Sequence, residues 1–187
     1  FASYAAKVLL SNGIKVYIFD NIRPTPELSF AIRHLHCKAG IMVTASHNPK
    51  EYNGYKVFWE DGAQITPPHD KNIIDRVGRI TSPSQVKLGG AGPEMIGDEV
   101  DEAFISSVLS LTLSPEAVKE HGDIKMVYTP LHGTGVRIVP RALHRLGFTN
   151  VYHVEKQDEN DGNFPTVASP NPEEHSALEM ALARAEE

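Results

Sequence analysis

Between Ala2 and Asn12 the apolar residues Ala5, Ala6, Leu9 and Leu10 recur at helical spacing, and Gly13 can close the helix. Ile14 to Phe19 is a short apolar run of strand length. A second helix is predicted over Pro26 to Leu35, with Thr25 as its N-cap and Pro26 in first position. Ala39 to Ala45 (AGIMVTA) is apolar almost throughout, the pattern of a strand buried on both faces of an α/β sheet. The order is β-α-β, for which a right-handed crossover is expected. Residues 55–66 alternate around Asp61-Gly62 and read as a hairpin with a type I′ turn. The sheet is therefore expected to be mixed. A helix from Thr66-Pro67 would carry Ile73, Ile74, Val77 and Ile80 on one face.

Residues 81–97 hold Pro83, Gly89, Gly90, Gly92, Pro93 and Gly97 and read as a linker. Asp98 to Leu111 follows as an amphipathic helix, with Val100, Phe104, Val108 and Leu111 in register and an acidic first turn suited to the helix dipole. A short helix starts at Ser114-Pro115-Glu116. The β-α-β rhythm then restarts: a strand over 123–129, a glycine-bearing turn at Leu131–Gly135, a helix over 136–146 closed by Gly147, and a strand over 150–155. Asn171 is expected to cap a last helix with Pro172 first. The boundaries are therefore drawn at 1–122 for a first domain, including the linker, and 123–187 for a second. Asp158–Gly162 reads as a solvated loop, since it fails calcium-loop spacing.

Composition narrows the class. The 187 residues carry 18 basic and 24 acidic side chains, a net charge of −6, so no basic footprint suggests nucleic acid. No apolar run approaches membrane-spanning length, and no partner membrane is expected. One cysteine, Cys37, excludes an internal disulfide and fits a reducing compartment, so a cytoplasmic location is expected. The chain begins at Phe1 with a helix already under way and stops at Ala185-Glu186-Glu187 inside another, so a fragment is expected. An interrupted domain leaves open edges, on which self-association with a second copy can occur.

Chemistry concentrates at Thr44-Ala45-Ser46-His47-Asn48-Pro49, directly after an apolar strand, where α/β sheets place ligands. Ser46 has three readings: a turn-capping residue, a hydrolase nucleophile, or a phosphate carrier. The second lacks the glycines of a nucleophile elbow, and the adjacent His47 is poorly placed to deprotonate its neighbour. The third needs donors and a cation, for which His47, Asn48 and Lys56 are candidates. On spacing alone Lys56 is a solvated strand lysine. His132-Gly133-Thr134-Gly135 is a phosphate turn or simply a tight strand-to-helix turn.

The stretch GIMVTASHNPKEYNGYKVFWEDGAQIT resembles the phosphoserine loop and following hairpin of the α-D-phosphohexomutases, the phosphoglucomutase/phosphomannomutase superfamily. VYTPLHGTG and NFPTVASPNPEE resemble its second domain. The resemblance implies a three-layer α/β/α fold with a mixed sheet, followed by an incomplete second α/β domain. It implies interconversion of hexose 1-phosphate and hexose 6-phosphate, most readily glucose, with phosphomannomutase or phosphopentomutase specificity, or a non-catalytic sugar-phosphate-binding domain, as alternatives. It assigns Ser46 the transferable phosphoryl group, Lys56 an acid/base role, His47 a catalytic neighbour's role, and Thr44, Asn48, His132, Gly133, Thr134 and Gly135 contacts to phosphate or sugar. The implied cofactors are Mg²⁺, reached by Ser46 through its phosphate, and glucose 1,6-bisphosphate as activator and intermediate. The family's D-G-D-x-D-R metal loop is not in this sequence, so its aspartates are expected outside the chain, and the chain alone is expected to be inactive.

Overall fold

The computed structural model describes residues 1–187. It is α/β, with both parallel and antiparallel strand pairs. Two compact units divide it: Phe1–Thr44 with Gly54–Val100, and Ala45–Asn53 with Asp101–Glu187.

In the first unit, helix α1 (Ala2–Ser11) leads into β1 (Tyr17–Phe19), α2 (Thr25–His34), β2 (Ala39–Thr44), β3 (Gly54–Trp59), α3 (His69–Val77) and β4 (Glu94–Ile96). β1 pairs in parallel with β4, whereas β2 pairs antiparallel with β3. One expectation changes here. The hydrogen-bonded partner of β1 is β4, which lies inside the stretch read as a linker. Glycines and prolines dominate that stretch, but Glu94-Met95-Ile96 is free of both and long enough to match the three residues of β1. A capping box at Ser82–Gln85 orders its start.

The hairpin forms, with a different turn. Gly62 has φ +81°, while Asp61 is not left-handed, and Gly62 N–H donates to Trp59 O at 3.0 Å. A type I′ turn needs positive φ at both central residues. The loop is instead the three-residue form, closed by a left-handed glycine. Ser29 Oγ of α2 donates to Gly62 O at 2.7 Å and fixes the turn on the helix. Ala31, Ile96 and Val100 form the core, with Tyr17, Phe19, Phe30 and Leu35 packed on it. Most of the predicted apolar stripe faces outward: Ile74 and Val77 of α3, and Ile80 just after it, are exposed, while Ile73 is half-buried.

The second unit contains most of α4 (Asp98–Leu109), then α5 (Pro115–Glu120), β5 (Met126–Tyr128), α6 (Gly135–Leu146), β6 (Val151–His153) and α7 (His175–Glu186). β5 and β6 are parallel, as the β-α-β rhythm predicts. On α4 the fully buried residues are Val100, Asp101 and Ile105, whereas Val108, and Leu111 just past the helix end, are exposed. The rotation has an electrostatic cause. The Asp101 carboxylate receives Arg137 Nε at 2.9 Å and Arg141 Nη1 at 3.0 Å, and Arg141 and Arg145 go on to the Glu102 carboxylate at 2.6 Å each. These arginines recur every fourth residue along α6 and form a ladder against α4. Hydrogen bonds from Arg141 and Arg145 also hold the Glu102 carboxyl below its usual range. α7 begins at His175, not beside Asn171. Asn171 instead closes a turn of its own, its Oδ1 accepting from Glu173 N–H at 3.2 Å. No helix is long and apolar enough to cross a membrane.

Candidate active site

The β2–β3 ribbon sets the first group of residues. Its register pairs Met42 with Lys56 and Thr44 with Gly54. Side chains alternate along each strand, so Met42, Thr44, Lys56 and Phe58 share one face. Phe58 is buried there and Lys56 is half-buried, which departs from a freely solvated strand lysine. The apolar stem of Lys56 can lie along this face with its ammonium toward water.

Beyond Thr44 the chain turns sharply. Asn48 N–H donates to Ala45 O at 3.0 Å, closing a four-residue turn with Ser46 in second position. Ser46 has φ +58°. Positive φ at that position belongs to the II′ family of turns, where glycine is the usual occupant. A serine there costs on the order of 1–3 kcal/mol of backbone strain, a cost found mainly at functional sites. Ser46, His47 and Asn48 are all exposed, as expected of residues that meet a ligand. The segment continues into a helical turn at Lys50–Tyr52, and Lys50 Nζ donates to Asn163 Oδ1 at 2.5 Å. Asn163 is itself held by Asp161 Oδ1 at 2.9 Å.

The second group surrounds the turn between β5 and α6. Leu131 and His132 have φ +48° and +60°, two successive left-handed residues without glycine. Hydrogen bonds from the 155–166 segment hold them. His132 is 4% exposed; its Nδ1 lies 2.8 Å from Glu159 O and its Nε2 lies 2.9 Å from Thr166 Oγ1. Gln157 is fully buried; its amide NH₂ donates to Thr166 Oγ1 at 3.0 Å and its carbonyl accepts from Thr129 Oγ1 at 2.5 Å. The main chain joins in: His132 N–H donates to Gln157 O at 3.0 Å, and Asn160 Nδ2 to His132 O at 3.2 Å. The loop at 158–162 is mostly exposed, as read, but its Glu159 carbonyl and Asn160 amide also tie it to the His132 turn. Gln157, Asn160 and Thr166 had no signal in the sequence, because their partner lies up to 34 residues away in the chain.

Gly133, Thr134 and Gly135 complete the turn, half-buried, and Thr134 does not cap α6 with its side chain. The first N–H groups of the 12-residue helix are thus not taken by Thr134. Gly135 has a packing reason: a Cβ there would lie 2.5 Å from the Tyr128 hydroxyl. Burial, with a smaller contribution from Asp158, pushes that phenol up to about 12.

The donor set does not fit a divalent cation. No three His, Cys, Asp or Glu side chains converge to hold a metal. Mg²⁺ prefers several oxygen ligands in octahedral array, and Ser46 offers one oxygen. This chain's residues do not form the Mg²⁺ site that the resemblance implies.

The family follows from comparison with known proteins. Residues 1–84 match phosphoglucomutase/phosphomannomutase, alpha/beta/alpha domain I, and residues 102–187 match domain II of the same family. The chain belongs to the phosphoglucomutase/phosphomannomutase superfamily and contains its N-terminal domains. A phosphoglucomutase of Staphylococcus haemolyticus is 42% identical over 99% of this chain and 34% of its own length. A probable phosphoribomutase of Schizosaccharomyces pombe is 38% identical over the whole of this chain and 33% of its own. A crystal structure of a Thermus thermophilus protein matches with a TM-score of 0.81 at 30% identity, covering 98% of this chain and 39% of that one. The chain thus spans about a third of the length of the curated relatives it matches.

Proposed function

We propose that this chain carries the phosphoryl-accepting part of a phosphohexomutase, and that Ser46 is the residue that holds the transferred group. The observation that carries this reading is the turn after β2, which presents an exposed serine in a left-handed conformation within a chain of this family. In the forward step the sugar hydroxyl oxygen attacks phosphoserine phosphorus. The P–O bond to Ser46 breaks, the hydroxyl proton leaves the sugar, and one proton returns to Ser46 Oγ. Lys56 is the group on the β2–β3 ribbon assigned to move a proton, and His47 and Asn48 orient the phosphate. The turn at His132–Gly135 supports a phosphate through backbone N–H groups, while the His132 ring is committed to Glu159 and Thr166. Phosphoryl transfer relies on such positioning and on charge neutralisation more than on covalent help.

Glucose 1,6-bisphosphate is the proposed donor that charges Ser46, with hexose 1- and 6-phosphates as substrates. A relative named for ribose phosphate favours a pentose phosphate as the second reading. Mg²⁺ enters this reading only through phosphate oxygens, and residues 1–187 alone are expected not to turn over glucose 1-phosphate.

The test is intact mass of the complete protein after incubation with glucose 1,6-bisphosphate. A phosphate adduct on the wild type that is lost in Ser46→Ala supports the assignment. An unmodified wild type points instead to a non-catalytic sugar-phosphate-binding domain, and an adduct retained by Ser46→Ala moves the nucleophile elsewhere. Comparing glucose, mannose and ribose phosphates as substrates settles the sugar.

A further inference from the structure

Hydrogen placement in the buried network around His132 is almost forced. Glu159 O is a carbonyl and only accepts, so the His132 Nδ1 facing it at 2.8 Å carries the proton. Leu131 N–H donates to Thr129 Oγ1 at 3.0 Å, and the Thr129 hydroxyl donates onward to the Gln157 carbonyl. The Gln157 amide NH₂ then points at Thr166 Oγ1. That leaves the single Thr166 hydroxyl proton for His132 Nε2, 2.9 Å away. Reversing the Gln157 amide would draw the Thr166 proton to Gln157 and leave the bare Nε2 facing an oxygen lone pair. One arrangement therefore satisfies every group, as buried polar networks require.

From this we infer that Gln157 and Thr166 are positioning residues for the 131–135 turn, acting through the Nδ1–H tautomer of His132. The ring links β5's end to the 155–166 segment and holds Leu131 and His132 in their left-handed conformations. The backbone N–H groups at the start of α6 are aimed by that geometry. The inference rests on the reading that this turn faces the phosphate of a sugar phosphate.

The experiment has a spectroscopic arm and a kinetic arm. Long-range ¹H–¹⁵N correlation on this chain distinguishes the protonated from the bare ring nitrogen of His132. The expected wild-type result is a proton on Nδ1 and none on Nε2; a proton on Nε2 overturns the inference whatever any variant does. Thr166→Val, which exchanges the hydroxyl for a methyl of similar size, is expected to mix the two tautomers and shift the amide signals of 131–135, and Thr166→Ser to restore both. A Thr166→Val spectrum with His132 and these amides unmoved also overturns it. In the complete protein, Thr166→Val is expected to raise KM for glucose 1-phosphate about tenfold with little change in kcat, the scale of one lost hydrogen bond. An unchanged KM sinks the positioning role. Failure of the mass test on Ser46 sinks the functional reading instead, since the tautomer is measured without any activity.

Discussion

The turn at 45–48 and the turn at 131–135 both force non-glycine residues into left-handed backbone, but they hold that strain in opposite ways. Ser46 is exposed, and the main-chain hydrogen bond from Asn48 N–H to Ala45 O closes its turn. Its outer tie, Lys50 to Asn163, is a single exposed hydrogen bond. His132 is enclosed, with both ring nitrogens, its N–H and its carbonyl all engaged. Under the proposed function, the difference separates a group that would meet a reactant from one that would shape a surface. A phosphate carrier needs freedom to be charged and discharged. A frame gains from having every donor and acceptor matched, because a buried group left unpaired costs more than a paired one yields.

This contrast can be broken in graded ways. The largest effect is expected at Lys56 in the complete protein: Lys56→Met should lower kcat by about 10²–10⁴, the usual range for an acid/base group. A rise in KM alone, measured by steady-state kinetics, would recast it as a phosphate clamp. Next, Gln157→Leu takes the acceptor of the Thr129 hydroxyl and one donor to Thr166 Oγ1, and a loss of about 1–3 kcal/mol is expected, which urea unfolding of this chain will read. A smaller effect is expected in alkali. Below pH 10 the Tyr128 phenol is protonated in folded and unfolded chains alike. Because the folded value is raised from 10.0 to about 12, the unfolded chain ionises first, so stability falls as pH rises across that window. Tyr128→Phe should flatten this limb of the pH–stability curve. Smallest of all, Lys50→Met in the open turn should change stability by about 0.5 kcal/mol or less, as surface substitutions do. A shift comparable to Gln157→Leu would mean that the open turn is as tightly framed as the closed one.

The serine turn was legible because its signal is local. A strand-length apolar run, then T-A-S-H-N-P, lies in one stretch of sequence. The antiparallel register that puts Thr44 and Lys56 on one face was not legible, because residues 45–53 separate the two strands and no tight-turn signal joins them. The frame around His132 was not legible, because Gln157 and Thr166 carry no local periodicity and gain meaning only when tertiary folding brings them to Thr129 and His132. Similar logic explains β4, whose pairing with β1 spans a stretch dominated by glycine and proline. It also explains α4, where a charge on the helix, Asp101, turned inward against expectation because arginines of α6 were there to meet it.

That inward carboxylate has a bearing on how pieces of this family could be recombined. The domain II match begins at residue 102, yet Asp101 lies just before it and its arginine partners at 137 and 141 lie well inside it. A chimaera cut at that boundary would take residue 101 from one parent and both arginines from the other. Grafts between relatives should therefore cross over upstream of α4, so that the acid and its two bases are inherited together.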